Sequence, residues 1–507
     1  MFFLIIIAAL LLRVYLIWSN SIIFASDMGR DLLWTKDIVF YHLPSLIGPS
    51  SSIWGVYFQP FWYYLLSLPL LITNGNPVSA AYTTTFIIVV TGILGYIFFR
   101  NFLGRTNAFI LTVVLTFCGE LINISTFAFN ANTLPILTLL IIYFCFLAAI
   151  KSNYFFIGAI LFISLLFSAD PVPAIGILPL PILVFFAFNL YKRPEKYKTL
   201  VFSMFTFALP FVPQIIFEFR NNFIEMHSLI NYFLGKNPSL SGYLPFFQRI
   251  ANRIVLFFNF FKSSFAGQNF FISVVLIVFI LIGNYLFIKH NNNQKISKLY
   301  KINILCVLTT IFIYTFFITF EIKNWYLEGL TINVIFLITF ALIGFRLKRG
   351  LILVFLITYA IINLSPFSGA SRIEQSKNDP ALLSNQLAAI DYIYQDKEKQ
   401  FSVYVYTPSI YDLNYQYLFW WQGVKLKRGL PNDFAYLPNK PAYIRNKNLY
   451  FQKKDSSVIY LIIENSAENE FYTSQSWKTN FNDYKIVWFH KINKAIIIEK
   501  RIKQNQI

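Results

Sequence analysis

Charge is what this sequence has least of. Of its 507 residues only 13% are Asp, Glu, Lys or Arg, and the acids number 23 against 42 lysines and arginines. So few charges cannot clothe a globule in water, and 57% hydrophobic residues with a mean hydropathy of +0.57 exclude an ordinary soluble domain. Cysteine is scarce as well. Cys118, Cys145 and Cys306 all fall inside apolar runs and none at metal-ligand spacing, which excludes a disulfide framework and leaves small core residues. The four histidines, His42, His227, His290 and His490, are scattered with no H-x-x-x-H pattern, so a histidine metal site has no support. Walker and Rossmann glycine motifs are missing, and with them the loops that cradle a soluble nucleotide. The net charge of +19 is not a nucleic-acid footprint either. Much of it lies in short turns between apolar runs, where positive charge sets membrane orientation, and no basic helix appears.

What is abundant is apolar sequence in lengths that cross a bilayer. Runs of roughly 17 to 22 residues, matched to a hydrocarbon core of about 30 Å, recur from Phe2 to about Pro366 and then stop. This predicts a polytopic α-helical membrane protein over 1–366. The tail, 367–507, is polar and carries short β-type runs at Phe401 to Tyr406, Ser457 to Ile463 and Ala495 to Glu499, which predict a small soluble α/β domain. Placing the basic clusters around Arg100, Lys151, Lys192, Lys295 and Arg346 inside gives about eleven spans. The N-terminus is then cytoplasmic and the tail extracytoplasmic, with a first outer loop over 20–76 and a long one over 218–268. That solution requires Phe58 to Thr73, with Pro60 and Pro69, to be an interfacial helix of the first outer loop. Phe2 to Ser19 lacks a basic n-region and is interrupted by Arg13, so it reads as an uncleaved span with Arg13 facing the bundle interior or a partner.

Against this background Ser26-Asp27-Met28-Gly29-Arg30-Asp31 stands out. On a helix Asp27 and Asp31 share a face, and two like charges at that spacing repel unless something neutralises or uses them. Arg30 is the evident neutraliser. Asp27 also fits an N-cap, but a cap would explain one acid and leave Asp31 without a role. A carboxylate kept ionised yet basic can take a proton from a hydroxyl as its oxygen attacks. Among the outer charges, Arg30, Arg220, Arg249, Arg253 and Lys323, with Tyr326, are candidates to hold an anionic phosphate; Arg249 and Arg253, at i and i+4, equally suit an anionic lipid surface. Asp170, between Ala169 and Pro171, is either a ligand for a hydroxyl or a turn former. Glu218 reads as a ligand or as a structural partner of Arg220. Trp54, Tyr57 and Trp62 to Tyr64 suit a sugar or an isoprenoid, and equally the membrane interface.

The first eighty residues run in a distinctive order: Leu12-Arg13 in an apolar span, Ser26 to Asp31, Leu43-Pro44-Ser45-Leu46-Ile47-Gly48-Pro49, Tyr57-Phe58-Gln59-Pro60-Phe61-Trp62-Tyr63-Tyr64, then Asn76-Pro77. This order resembles bacterial family 39 glycosyltransferases, relatives of protein O-mannosyltransferases and aminoarabinose transferases. The likeness continues in Pro213 to Arg220, in Trp325-Tyr326 and in Tyr411-Asp412 to Tyr417. The resemblance implies a GT-C fold and inverting transfer of a sugar from a polyprenyl-phosphate donor to a lipid, glycan or protein acceptor outside the cytoplasmic membrane. It places the catalytic acid at Asp27. Many relatives have an adjacent Asp-Glu pair there; this chain has Met28, so the second role passes to Asp31 or is absent. Relatives carry Glu or Lys before the proline of the Pro60 region, whereas this chain has Gln59, which loosens the inference about acceptor. No cofactor is required by these residues, and dependence on a divalent metal is left open. The rival class is a transporter or flippase of lipid-linked sugars, which calls for repeated halves and midplane polar features that the sequence does not display.

Overall fold

The computed structural model describes residues 2–18, 21–234, 244–367, 378–409, 411–438, 440, 443–465 and 473–504. The chain folds as two compact units. The first comprises Met1–Arg13, Ser45–Trp62 and Thr84–Pro366; the second comprises Val14–Pro44, Tyr63–Thr83 and Phe367–Ile507. Parts of the expected loop over 218–268 and of the expected junction after 366, namely 235–243 and 368–377, lie outside the described residues.

The first unit is helical. Among the described residues six helices are long and apolar enough to cross a membrane: Ser79–Leu103, Asn130–Ile150, Lys196–Arg220, Phe270–His290, Gln294–Phe316 and Arg349–Phe367. A seventh is added if Arg105–Thr116 and Gly119–Thr126, bent by 60°, make one span. The expected eleven spans are therefore corrected to six or seven, with a physical reason in helix length. Phe2–Ile17, Tyr154–Ala169 and Leu330–Phe345 have 16 residues each, which at 1.5 Å per residue gives about 24 Å. Prolines divide another apolar run into Pro171–Ile177 and Pro179–Ala187. Phe61–Ile72, with Pro69 inside it, has only 12 residues and falls well short of a crossing.

Small residues permit a close helix contact in this unit. A Cβ on Gly344 would lie 2.1 Å from the Gly283 carbonyl oxygen, so Phe270–His290 and Leu330–Phe345 meet backbone to backbone. At the 60° bend the broken hydrogen-bond ladder is repaired by Arg13. Its fully buried guanidinium donates to the Thr116 carbonyl at 3.0 Å, to Leu121 at 3.4 Å and to Ala9 at 3.2 Å. The interior partner that the sequence required for Arg13 is thus main-chain carbonyl.

The second unit holds a five-stranded sheet: β1 (Ser402–Tyr406), β2 (Asp433–Ala435), β3 (Val458–Glu464), β4 (Tyr484–Ile492) and β5 (Ile496–Lys503), in the order β2-β1-β3-β5-β4. β1 runs parallel to β2 and β3, while β5 is antiparallel to β3 and β4. All of β1 is buried, as a central parallel strand requires. Two N-terminal segments complete this unit. Phe24 donates its N–H to the Ala381 carbonyl at 2.7 Å and accepts at its own carbonyl from Gln386 at 3.2 Å. The Tyr417 hydroxyl donates to the Gly75 carbonyl at 2.7 Å. Helix Ser26–Tyr41 lies on helix Leu413–Trp420 at Gly29, where a Cβ would come within 2.3 Å of the Asn414 nitrogen.

Candidate functional site

In the second unit the acidic motif forms the first turns of helix Ser26–Tyr41. Ala25 occupies the N-cap position, and no side chain caps the helix. Asp27 is therefore not spent on capping. Its Oδ1 accepts from Arg30 Nη1 at 2.8 Å, while Arg30 Nε and Nη2 reach Asp31 Oδ1 at 2.9 and 2.8 Å. One guanidinium thus bridges both acids. Burial opposes the charge on Arg30, but Asp31 and then Asp27 outweigh it and hold the guanidinium above its ordinary pKa. The two acids differ in access: the Asp27 side chain is 54% exposed and that of Asp31 2%. Among the described residues Asp27 Oδ2 has no hydrogen-bond partner. The triad presents a carboxylate that is paired with Arg30 through one oxygen and whose side chain is about half exposed.

Beneath it lies a pair that the sequence reading passed over. Lys36 is wholly buried, bonded to Asp37 at 2.5 Å and facing the rings of Tyr450, Tyr41 and Trp420 at 4.6, 5.2 and 5.6 Å. Burial lowers its pKa and Asp37 opposes that shift. Asn446 donates to the second Asp37 oxygen at 3.1 Å. These contacts fix the helix and leave no group free for chemistry. The available signal was two adjacent opposite charges in a charge-poor segment.

The first unit gathers other predicted residues at the end of helix Tyr154–Ala169. Asp170 is buried and caps Pro171–Ile177 by accepting from the Val172 N–H at 2.9 Å. Burial pushes its carboxyl up to about 7, the Val172 N–H opposing. Tyr326 feels the Asp170 charge, and its own carbonyl accepts from the Tyr314 hydroxyl at 2.9 Å. Glu328, which the sequence reading missed, is buried with Oε2 unpartnered. Burial first, then Glu120 and Asp170, raise its pKa well above the usual range. Its only sequence signal was a lone Glu before an apolar run. Asn130 donates to the Ala169 carbonyl but leaves Oδ1 unpartnered, and the buried Gln59 amide has no partner for either atom. Ser168 donates to the Gln59 carbonyl at 3.1 Å. Gln59, Asn130 and Asp170 therefore meet around Ser168 to Asp170, and orphaned hydrogen-bonding atoms collect nearby.

The other predicted residues separate. The Tyr57 N–H donates to Glu225 at 2.8 Å, its carbonyl accepts from Gln214 at 2.9 Å, and its ring meets Phe217 edge-on. Glu225 is pushed up to about 7 by burial. Glu218 uses both oxygens to accept the N–H groups of Glu225 and Met226 at 3.0 Å, which caps helix Ile224–Phe233. Arg220 is exposed at the end of helix Val212–Arg220 and Lys323 pairs with Glu321 at 2.7 Å. Arg249 and Arg253 lie on helix Phe246–Phe265 with opposite fates. Arg253 donates to the carbonyls of Tyr314, Ile318 and Phe320 at 3.2, 3.3 and 2.5 Å. Arg249 is buried, and among the described residues its Nε and Nη1 have no partner. Among the described residues no three His, Cys, Asp or Glu side chains group as metal ligands.

No family model and no curated protein matches the sequence. The fold does have solved counterparts. The crystal structure of ArnT from Cupriavidus metallidurans bound to undecaprenyl phosphate aligns with a TM-score of 0.58 over 98% of this chain and 97% of that one, at 10% identity. The apo structure of the same protein aligns equally well. Over its full length, then, the chain has a GT-C fold, as the sequence resemblance implied, and it is a multi-pass membrane protein.

Proposed function

We propose that this protein is a membrane glycosyltransferase that moves a sugar from a polyprenyl-phosphate donor to an acceptor hydroxyl on the outer side of the cytoplasmic membrane. Asp27 carries the reading: it is the half-exposed acid of the triad, paired with Arg30 through Oδ1 and with Oδ2 open. In the step envisaged, the acceptor oxygen attacks the anomeric carbon and its proton passes to Asp27. The bond from that carbon to the phosphate breaks, and polyprenyl phosphate leaves as an anion with inversion at the sugar. The crystallised ArnT holds undecaprenyl phosphate, which supports a lipid-phosphate donor for a chain of the same fold. Arg249, a buried cation of the first unit whose Nε and Nη1 are unpartnered among the described residues, is a separate candidate for an anion ligand, since cationic groups stabilise the charge that develops on a departing phosphate. The orphaned atoms of Gln59, Asn130 and Glu328 are the hydrogen-bonding groups a hydroxyl-rich ligand would satisfy.

The decisive experiment is sugar release from a panel of radiolabelled polyprenyl-phosphate sugars by the purified protein in detergent, with Asp27→Asn alongside. Transfer or hydrolysis by the wild type and none by the variant is expected. A fully active variant would remove Asp27 as the base. No turnover on the panel, together with lipid-sugar flipping in proteoliposomes, would overturn the enzyme reading in favour of transport.

A further inference from the structure

A cavity of about 690 Å³ opens in the first unit, away from every residue discussed above, at the connection between helices Phe270–His290 and Gln294–Phe316. Both helices are long and apolar enough to span a bilayer, so their three-residue connection, 291–293, lies at the depth of the lipid headgroups. The wall of the cavity is graded. Its rim carries Lys298 and Lys301 with the amides of Asn291 and Gln294, and no carboxylate lines it. One to two turns further along Gln294–Phe316 the lining includes Ile304 and Leu305, and Phe188 lines the cavity as well. Lys298 is partly committed, donating to the Ala149 carbonyl at 3.2 Å. Lys301 is exposed and makes no hydrogen bond or ion pair among the described residues.

We infer that this cavity binds one anionic phospholipid, its phosphate between Lys298 and Lys301 and the start of an acyl chain on Ile304, Leu305 and Phe188. Three features select that occupant. The rim is cationic and lacks acids, which matches a net negative headgroup and not a zwitterion. The apolar floor would be idle under a free phosphate ion. The position between two spans opens the site to the bilayer, in the loop that the charge bias assigns to the cytoplasmic face, where anionic lipids are met. The site belongs neither to the acidic motif nor to the Asp170 group, and it stands whether or not the chain transfers sugar.

The test is native mass spectrometry of the full chain in neutral detergent, titrated with phosphatidylglycerol or with phosphatidylcholine of the same acyl chains. One tightly retained phosphatidylglycerol is expected, bound at least tenfold better than phosphatidylcholine. Lys301→Gln should weaken it roughly fivefold, and Lys298→Gln with Lys301→Gln more than twentyfold, at about fivefold per cation lost. Because Lys298 also holds the Ala149 carbonyl, the single Lys301→Gln variant keeps the result readable if the double variant misfolds. Equal retention of the two lipids, or an unchanged affinity in Lys301→Gln, overturns the site. Displacement of the lipid by millimolar inorganic phosphate overturns the lipid assignment and leaves an ion site.

Discussion

Two aspartates one turn apart share a single guanidinium, and the sharing makes them unequal. Asp31 is buried against Arg30, so Asp31→Asn strands much of a buried charge and should cost about 3–5 kcal/mol of stability. Asp27 is half exposed, so Asp27→Asn should cost only about 0–1 kcal/mol while abolishing transfer. Thermal unfolding of both variants beside the transfer assay checks the contrast. Arg249 supplies the converse case. Replacing an unpaired buried cation by an apolar side chain removes a desolvation penalty. Arg249→Met should unfold no earlier than the wild type yet raise the donor KM at least tenfold, and an unchanged KM would dismiss it as a phosphate ligand. Asp170 adds a pH dependence. Its folded carboxyl keeps its proton to about pH 7 whereas the unfolded one releases it near pH 4, so its contribution to stability falls as pH rises from about 4 to 7. Asp170→Asn should therefore gain melting temperature relative to wild type at pH 8 more than at pH 5. Some slope should persist, because Glu225 is shifted the same way. The triad itself could be read from spacing, because residues at i, i+3 and i+4 must meet on a helix. Which of the two acids is buried could not, because burial depends on residues outside the helix, among them Tyr63, which lies beside Arg30 and Asp31.

At the scale of elements, close approach is bought by glycine. Gly29→Ala would force a methyl group into the Asn414 backbone and should destabilise the protein by about 1–3 kcal/mol, read as a lower melting temperature. The partner that Gly29 approaches, Asn414, lies nearly four hundred residues away in sequence. Strands β1 and β3 were legible because they are apolar and paired on both sides, and β5 through its opening Ile496 to Ile498 run, although Glu499, Lys500, Arg501 and Lys503 follow it. β2 has only three residues, and β4 is an edge strand whose Val487 and Phe489 are exposed and whose pairing is interrupted by a bulge, so neither carries a strong alternating signal. Helix number failed for a different reason. Apolar content reports burial in lipid or in protein alike, and sixteen-residue helices such as Tyr154–Ala169 have the composition of a span without its length.

At the scale of the whole molecule, the polar tail is not an appendage. It shares a unit with Val14–Pro44 and Tyr63–Thr83, and it holds them through Phe24, Gly29 and Gly75. A chain cut after residue 366 still contains every residue proposed here for chemistry, yet it should be inactive; residues 367–507 made alone should be poorly folded, as judged by circular dichroism and proteolysis. Adding a 14–44 peptide should restore part of the protection. The discontinuity also orders events in time. The helix bearing Asp27 is synthesised nearly four hundred residues before Leu413–Trp420, the helix it lies on at Gly29. Until then its close-packing glycine lacks the Asn414 backbone it meets in the fold, so a chain terminated before Leu413–Trp420 carries its acid unmounted.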